Sequence, residues 1–174
     1  MRAWTVGHSR RTLAELVALL RAHGVRQVID VRRYPRSRRH PHFDSVTLAR
    51  ELPAASVGYV QTPGLGEFRR PGPGSVNAGV DPAFRGYADY MQTDEFASHL
   101  ATLMEAAAST PTAIMCAEAD PRSCHRSLVA DALVARVVEV HHIASDGVAI
   151  PHALRPGARV VHGRVSYPGQ TEMF

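Results

Sequence analysis

With 174 residues and 18.9 kDa, the chain has room for one domain that buries about 70% of its unfolded surface without disulfide or metal staples. Its 45% hydrophobic and 21% charged residues exclude a disordered, collagen-like or fibrous protein. All 20 basic residues are arginine, and residues 1–43 hold ten of them against only Glu15 and Asp30, a concentrated field that implies an anionic partner.

Trp4 followed by Thr5 to Gly7 reads as a short buried strand. Over Arg11 to His23, Leu13, Leu16, Val17, Leu19 and Leu20 recur at helical spacing, with Thr12 as N-cap and Gly24 as the stop. Val25 to Val31 predicts a central strand, Ser45 to Leu52 a short helix ended by Pro53, and Val57 to Gln61 a third strand. Residues 63–74 hold seven prolines and glycines in twelve positions, the composition of a mobile loop. Helical patterns return over Phe84 to Met91 and Asp94 to Ala108. Thr112 to Cys116 is a fourth strand, Cys124 to Ala135 a helix and Val137 to Ile143 a fifth strand. After Ser145, scattered valines among glycines and prolines predict a strand or two on an edge, or a partly mobile tail. The alternation predicts a single α/β domain over residues 1–174. It has three layers, with a mostly parallel, Rossmann-like or flavodoxin-like sheet of about five strands flanked by helices.

No run of about 18 apolar residues is present, so a membrane span is not expected. The opening Met1 to His8 lacks the apolar core of a secretory signal, and two cysteines make no disulfide framework. The expected compartment is therefore the cytoplasm.

Ligands of open α/β sheets bind outside the carboxyl ends of the strands. That rule gathers Gly7-His8-Ser9-Arg10, Asp30-Val31-Arg32-Arg33, the loop with Arg69 and Arg70, Cys116-Ala117-Glu118, and His141 and His142 on one rim. Together, Thr5-Val6-Gly7-His8-Ser9, Asp30-Val31-Arg32 with Pro35-Arg36-Ser37, Phe84-Arg85-Gly86-Tyr87 with Tyr90-Met91, and Cys116-Ala117-Glu118 leading to Cys124-His125-Arg126 resemble the family of domains of unknown function numbered 488. The resemblance covers about residues 4–143, leaving 145–174 as an extension. It implies an α/β cytoplasmic protein of bacteria or archaea and supplies no reaction.

The residues themselves carry the remaining chemistry. Cys116 to Ser123 scans as C-x5-R-S, the spacing of cysteine phosphatases and sulfurtransferase-like loops. It lacks glycine, however, Pro121 removes a donor, and Glu118 and Asp120 repel phosphate. Cys116 reads equally as a small buried hydrophobe. Ser123 is a candidate N-cap, Arg126 an anion clamp or the partner of Glu118 or Asp30, and His125 a proton carrier. His8 is a candidate base, Ser9 a hydroxyl donor or helix cap, and Asp30 an orienting acid or the partner of Arg32. Arg32, Arg36 and Arg38, with Tyr34 and His40 interleaved, fit phosphates and stacked bases. Tyr87 belongs under the site. Cys116, Cys124, His125 and His8 are potential ligands, but C-x7-C-H lacks the C-x2-C pairing of structural zinc sites, so no metal is assigned and no cofactor named. His23, His99 and His152 read as surface or helix-end residues.

The leading expectation is an enzyme acting on a phosphate-bearing substrate, a nucleotide or nucleic acid. Arg32, Arg36 and Arg126 hold the anion, Glu118 or His125 handles the proton, and Cys116 is a reserve nucleophile. The alternatives are a non-catalytic nucleic-acid-binding module and a cysteine-dependent sulfur-transfer or phosphatase-like enzyme.

Overall fold

Thr12 opens α1 (Leu13–Ala22) with a capping box: its hydroxyl accepts the Glu15 N–H, and the Glu15 carboxylate accepts the Thr12 N–H. Leu16, Val17 and Leu20 form the buried face of the helix, and Gly24, at φ 68°, turns the chain into β2 (Gln27–Asp30). The computed structural model describes residues 1–169. Within them, β1 (Arg2–Gly7), β2, β3 (Gly58–Gln61), β4 (Thr112–Cys116) and β5 (Glu139–Ile143) pair in parallel, and β6 (Ala149–Pro151) runs antiparallel along β5. The order is β3-β2-β4-β1-β5-β6. This is a three-layer α/β arrangement with six strands in the sheet.

β4 shows why both faces are covered. Ala113 and Met115 pack on one side with residues of α1 and α2 (Ser45–Ala54). Ile114 and Cys116 pack on the other with α3 (Pro82–Tyr90), α4 (Asp94–Ser109) and α5 (Arg126–Val134). Cys116 therefore leaves the sheet on the α3–α5 side, where its side chain enters a cavity.

Three local expectations are corrected. α2 continues through Pro53 to Ala54, because a proline in the last turn forfeits only one ladder bond. The loop expected to be mobile is pinned: Leu65 is buried, Tyr87 donates to its carbonyl at 2.7 Å, and Tyr90 donates to the Gly64 carbonyl at 2.8 Å. α5 begins at Arg126, after a 3₁₀ turn over Pro121–Ser123, and His125 rather than Ser123 stands at its N-cap position.

Residues 146–169 pack down, and the rest of the expected tail, 170–174, lies outside the described residues. β6 extends the sheet, and β7 (Arg159–Val161) forms a hairpin with β8 (Arg164–Ser166). Val165 and Tyr167 enter the core on the α3–α5 side. No helix among the described residues is long and apolar enough to cross a membrane.

Candidate functional site

The ends of β1 and β4 are pressed together. The His8 N–H donates to the Cys116 carbonyl and the Ser9 N–H to the Ala117 carbonyl, both at 2.9 Å. A Cβ on Gly7 would collide with the Glu118 backbone, so only glycine fits there. Ser9 then turns with φ 50°, steering the chain toward α1. Two polar clusters flank this junction, and they differ in how fully their groups are matched.

The first is built on β2. Arg32 donates to both oxygens of Asp30 (Nε to Oδ1 2.9 Å, NH2 to Oδ2 2.6 Å), to the Phe43 carbonyl at 2.8 Å, and from NH1 to His8 Nε2 at 3.1 Å. The Tyr59 hydroxyl adds a bond to Asp30 Oδ2 at 2.8 Å. Since Arg32 has only protons to offer, His8 accepts at Nε2 and donates from Nδ1 to the Ser9 carbonyl. Burial, then the Arg32 charge, lowers the His8 pKa to about 4, so the ring is neutral at neutral pH. It stacks on Phe43 at 4.2 Å. His8, Asp30 and Arg32 thus form one closed, buried network.

The second cluster lines a cavity of about 370 Å³ between β4, the start of α5, α3 and the loop after β3. Cys116, Cys124, His125, Tyr87, Glu67, Phe68, Arg69 and Glu118 border it. The Nδ1 of His125 lies 3.9 Å from Cys116 Sγ, 3.7 Å from Cys124 Sγ and 3.6 Å from a Glu67 oxygen. Its Nε2 is buried and has no partner among the described residues. Both cysteines are free. The Cys116 thiol is pushed up by its hydrogen bond with Cys124 and by burial. Cys124 is pulled down by that same bond and, against burial, by His125 and Arg126. The Tyr87 ring stands 5.1 Å from His125, and burial pushes its hydroxyl pKa well up.

Glu67 also approaches the Arg33 N–H at 3.4 Å, linking the cavity to the arginine-rich loop. The residue after it, Phe68, holds φ 64° and is 74% exposed. The ring of Tyr34, 67% exposed, lies 6.3 Å away with the Arg33 guanidinium over it. Left-handed backbone is a costly conformation for a bulky aromatic, and here it directs an apolar ring into solvent at the cavity mouth. Arg36, Arg38 and Arg39 are exposed in the same loop.

The remaining candidates are placed as follows. Arg126 is 1% exposed and donates to the Glu118 and Ala119 carbonyls at 2.5 and 2.8 Å, shaping the loop after β4. Glu118 is exposed at the cavity edge. Arg122 of the C-x5-R-S spacing pairs with Asp120 on the surface, its side chain 90% exposed and outside the cavity lining. Ser9 gives the His8 network its backbone carbonyl, and Arg32 is enclosed within that network.

Sequence reasoning missed a third group. A chain of hydrogen bonds runs from Thr5 to His142 at 2.6 Å, to His152 at 2.8 Å and to Asp131 at 2.8 Å, with the Tyr167 hydroxyl donating to Asp131 at 2.7 Å. Burial, then the neighbouring His152 and Arg126, lowers the His142 pKa to about 4. His152, expected on the surface, is a member of this network. Only the folding back of the C-terminal segment brings it there, and the even polar spacing of that segment carries no signal of it.

The family model described as Domain of unknown function DUF488 matches residues 12–133. No curated protein matches the chain, and no solved structure does.

Proposed function

From the premise that the chain belongs to the DUF488 family, a family that carries no assigned reaction, we propose that it is an enzyme acting on a nucleotide unit of single-stranded nucleic acid. One observation carries this reading: the exposed Tyr34–Phe68 pair, flanked by arginines, at the mouth of the thiol–imidazole cavity. A base stacks on the aromatic pair, and Arg36, Arg38 and Arg39 take the flanking phosphates. The reacting group enters the cavity, where His125 and Glu118 handle the proton. Arg126 acts by holding the loop that carries Glu118, and the Asp30–Arg32–His8 network fixes the base of the arginine-rich loop. A cavity of about 370 Å³ falls in the range of small-molecule sites.

The test is binding of a labelled single-stranded oligonucleotide, followed by chromatography of the incubated nucleotide. Affinity is expected to fall with salt by a log–log slope of about −0.7 for each phosphate contact. Phe68→Gly and Tyr34→Ala are each expected to weaken binding about tenfold, the worth of one stacked base. Product formation is expected to disappear in Glu118→Gln and His125→Gln with affinity retained. Affinity indifferent to Phe68 and Tyr34 overturns the stacking platform, and binding without any product leaves a non-catalytic module instead of an enzyme.

A further inference from the structure

Two thiol sulfurs and an imidazole nitrogen converge in the cavity, with a carboxylate oxygen beside the nitrogen. Nδ1 of His125 has a single lone pair, so it can accept from only one of Cys116 and Cys124. Once the thiols are deprotonated, the two sulfurs and Nδ1 are three adjacent electron-pair donors that one cation can join.

The geometry points to a zinc ion bound by Cys116 Sγ, Cys124 Sγ and His125 Nδ1, with Glu67 at the fourth position. The three ligand atoms lie within 4.8 Å of one another, and all three residues are buried. Tetrahedral zinc, with Zn–S about 2.3 Å and Zn–N about 2.05 Å, sets S···N edges of about 3.6 Å. The observed 3.9 and 3.7 Å are a small contraction away. The Glu67 oxygen lies 3.6 Å from Nδ1, beside one of the three ligands. The donors are soft and borderline, the set zinc prefers over magnesium or calcium. A backbone N–H also supports the sulfur, since Arg126 N donates to Cys124 Sγ at 3.5 Å. Such outer bonds orient ligands and tune their basicity. Binding displaces the thiol protons to solvent and forms two Zn–S bonds without any change of oxidation state. Three protein ligands plus a carboxylate held by a loop match an exchangeable fourth position, where a water or substrate oxygen can replace Glu67.

The spacing C-x7-C-H hides this site because the two cysteines are not paired on one knuckle. Cys116 ends a strand and Cys124 follows the 3₁₀ turn, and the loop between them folds back to bring the sulfurs together. This inference deepens the proposed function by placing a Lewis acid in the same cavity, with His125 then a ligand and Glu118 alone left to move the proton, but its test does not pass through nucleic acid. Zinc without oligonucleotide affinity breaks only the earlier reading, and oligonucleotide affinity without zinc breaks only this one.

The full chain, purified under reducing conditions, is analysed for metal and then titrated with zinc and cobalt after chelation. One zinc per chain is expected, and cobalt is expected to give thiolate charge-transfer absorption with the intense visible bands of a tetrahedral site. Cys124→Ser is expected to lower zinc affinity at least a hundredfold and to halve the charge-transfer band. Glu67→Gln, on the partly exposed loop, is expected to remain folded and weaken zinc about tenfold. A folded, reduced wild-type chain that takes up neither metal overturns the proposal. So does full zinc stoichiometry in the Cys116→Ser/Cys124→Ser double variant.

Discussion

The two clusters on either side of the β1–β4 junction use similar residue types to opposite ends. Around Arg32, each guanidinium nitrogen has an acceptor: Asp30 takes two bonds, Phe43 one and His8 one, and Tyr59 donates to the same carboxylate. Around His125, two thiols and a carboxylate face one nitrogen while the other nitrogen has no partner among the described residues. A buried polar network with all members matched holds a fold in one arrangement. One with unmatched members stores a demand that a ligand can meet. The contrast separates scaffold from site more sharply than burial does, because both clusters lie largely out of water.

If that contrast is right, breaking the closed network should cost the most stability. Asp30→Ala strands a buried guanidinium and is expected to destabilise the fold by about 3–5 kcal/mol in denaturant titration. A loss under about 1 kcal/mol would show that water rescues Arg32 and that the network is not closed.

The next effect is acid sensitivity. His142 has a folded pKa of about 4 against an unfolded value near 6.5, so between these values the unfolded chain binds more protons. Stability is therefore complete above about pH 6.5 and declines toward pH 4, by about 3 kcal/mol from this residue. His142→Asn is expected to remove about half of the slope in that pH window, since His8, also lowered to about 4, contributes the rest. An unchanged slope would mean that the ring is protonated in the folded chain.

Smaller still is the strain at Phe68. Phe68→Gly relieves the left-handed backbone and is expected to stabilise the fold by about 1 kcal/mol, readable as a raised melting temperature. If stability falls instead, the exposed ring contributes packing and its display at the cavity mouth loses its rationale. At the low end, Arg122→Ala removes an exposed ion pair and is expected to move stability by no more than about 0.5 kcal/mol. It should also leave the alkylation rate of the cysteines unchanged, whereas a faster or slower rate would bring back the C-x5-R-S reading.

The elements that could be read in one dimension were those fixed by local periodicity. The apolar stripe of α1 with its Thr12 cap, the four apolar residues of β4 and the positions of α3 and α4 depend on neighbours three, four or two residues away. The rim was legible for a related reason, since parallel strands expose their carboxyl ends on one edge whatever their order. What local pattern could not supply was partner choice. Arg126, Arg32 and Arg36 look alike in sequence, yet the first spends its guanidinium on two carbonyls, the second on a carboxylate, and the third stands in solvent. Glu67 gave no signal either, sitting in a glycine-rich loop whose anchoring depends on Tyr87 and Tyr90 far along the chain.

The amino-acid sequence by itself determined the α/β alternation, the membership signalled by its motifs and the edge of the sheet on which the reactive residues collect, because each follows from short-range spacing or from strand direction. Only the tertiary structure decided which of those residues neutralise one another and which are left over. That outcome turns on distances of a few ångströms between segments remote in the chain, where a charge or lone pair is either matched or stranded in a medium that cannot solvate it.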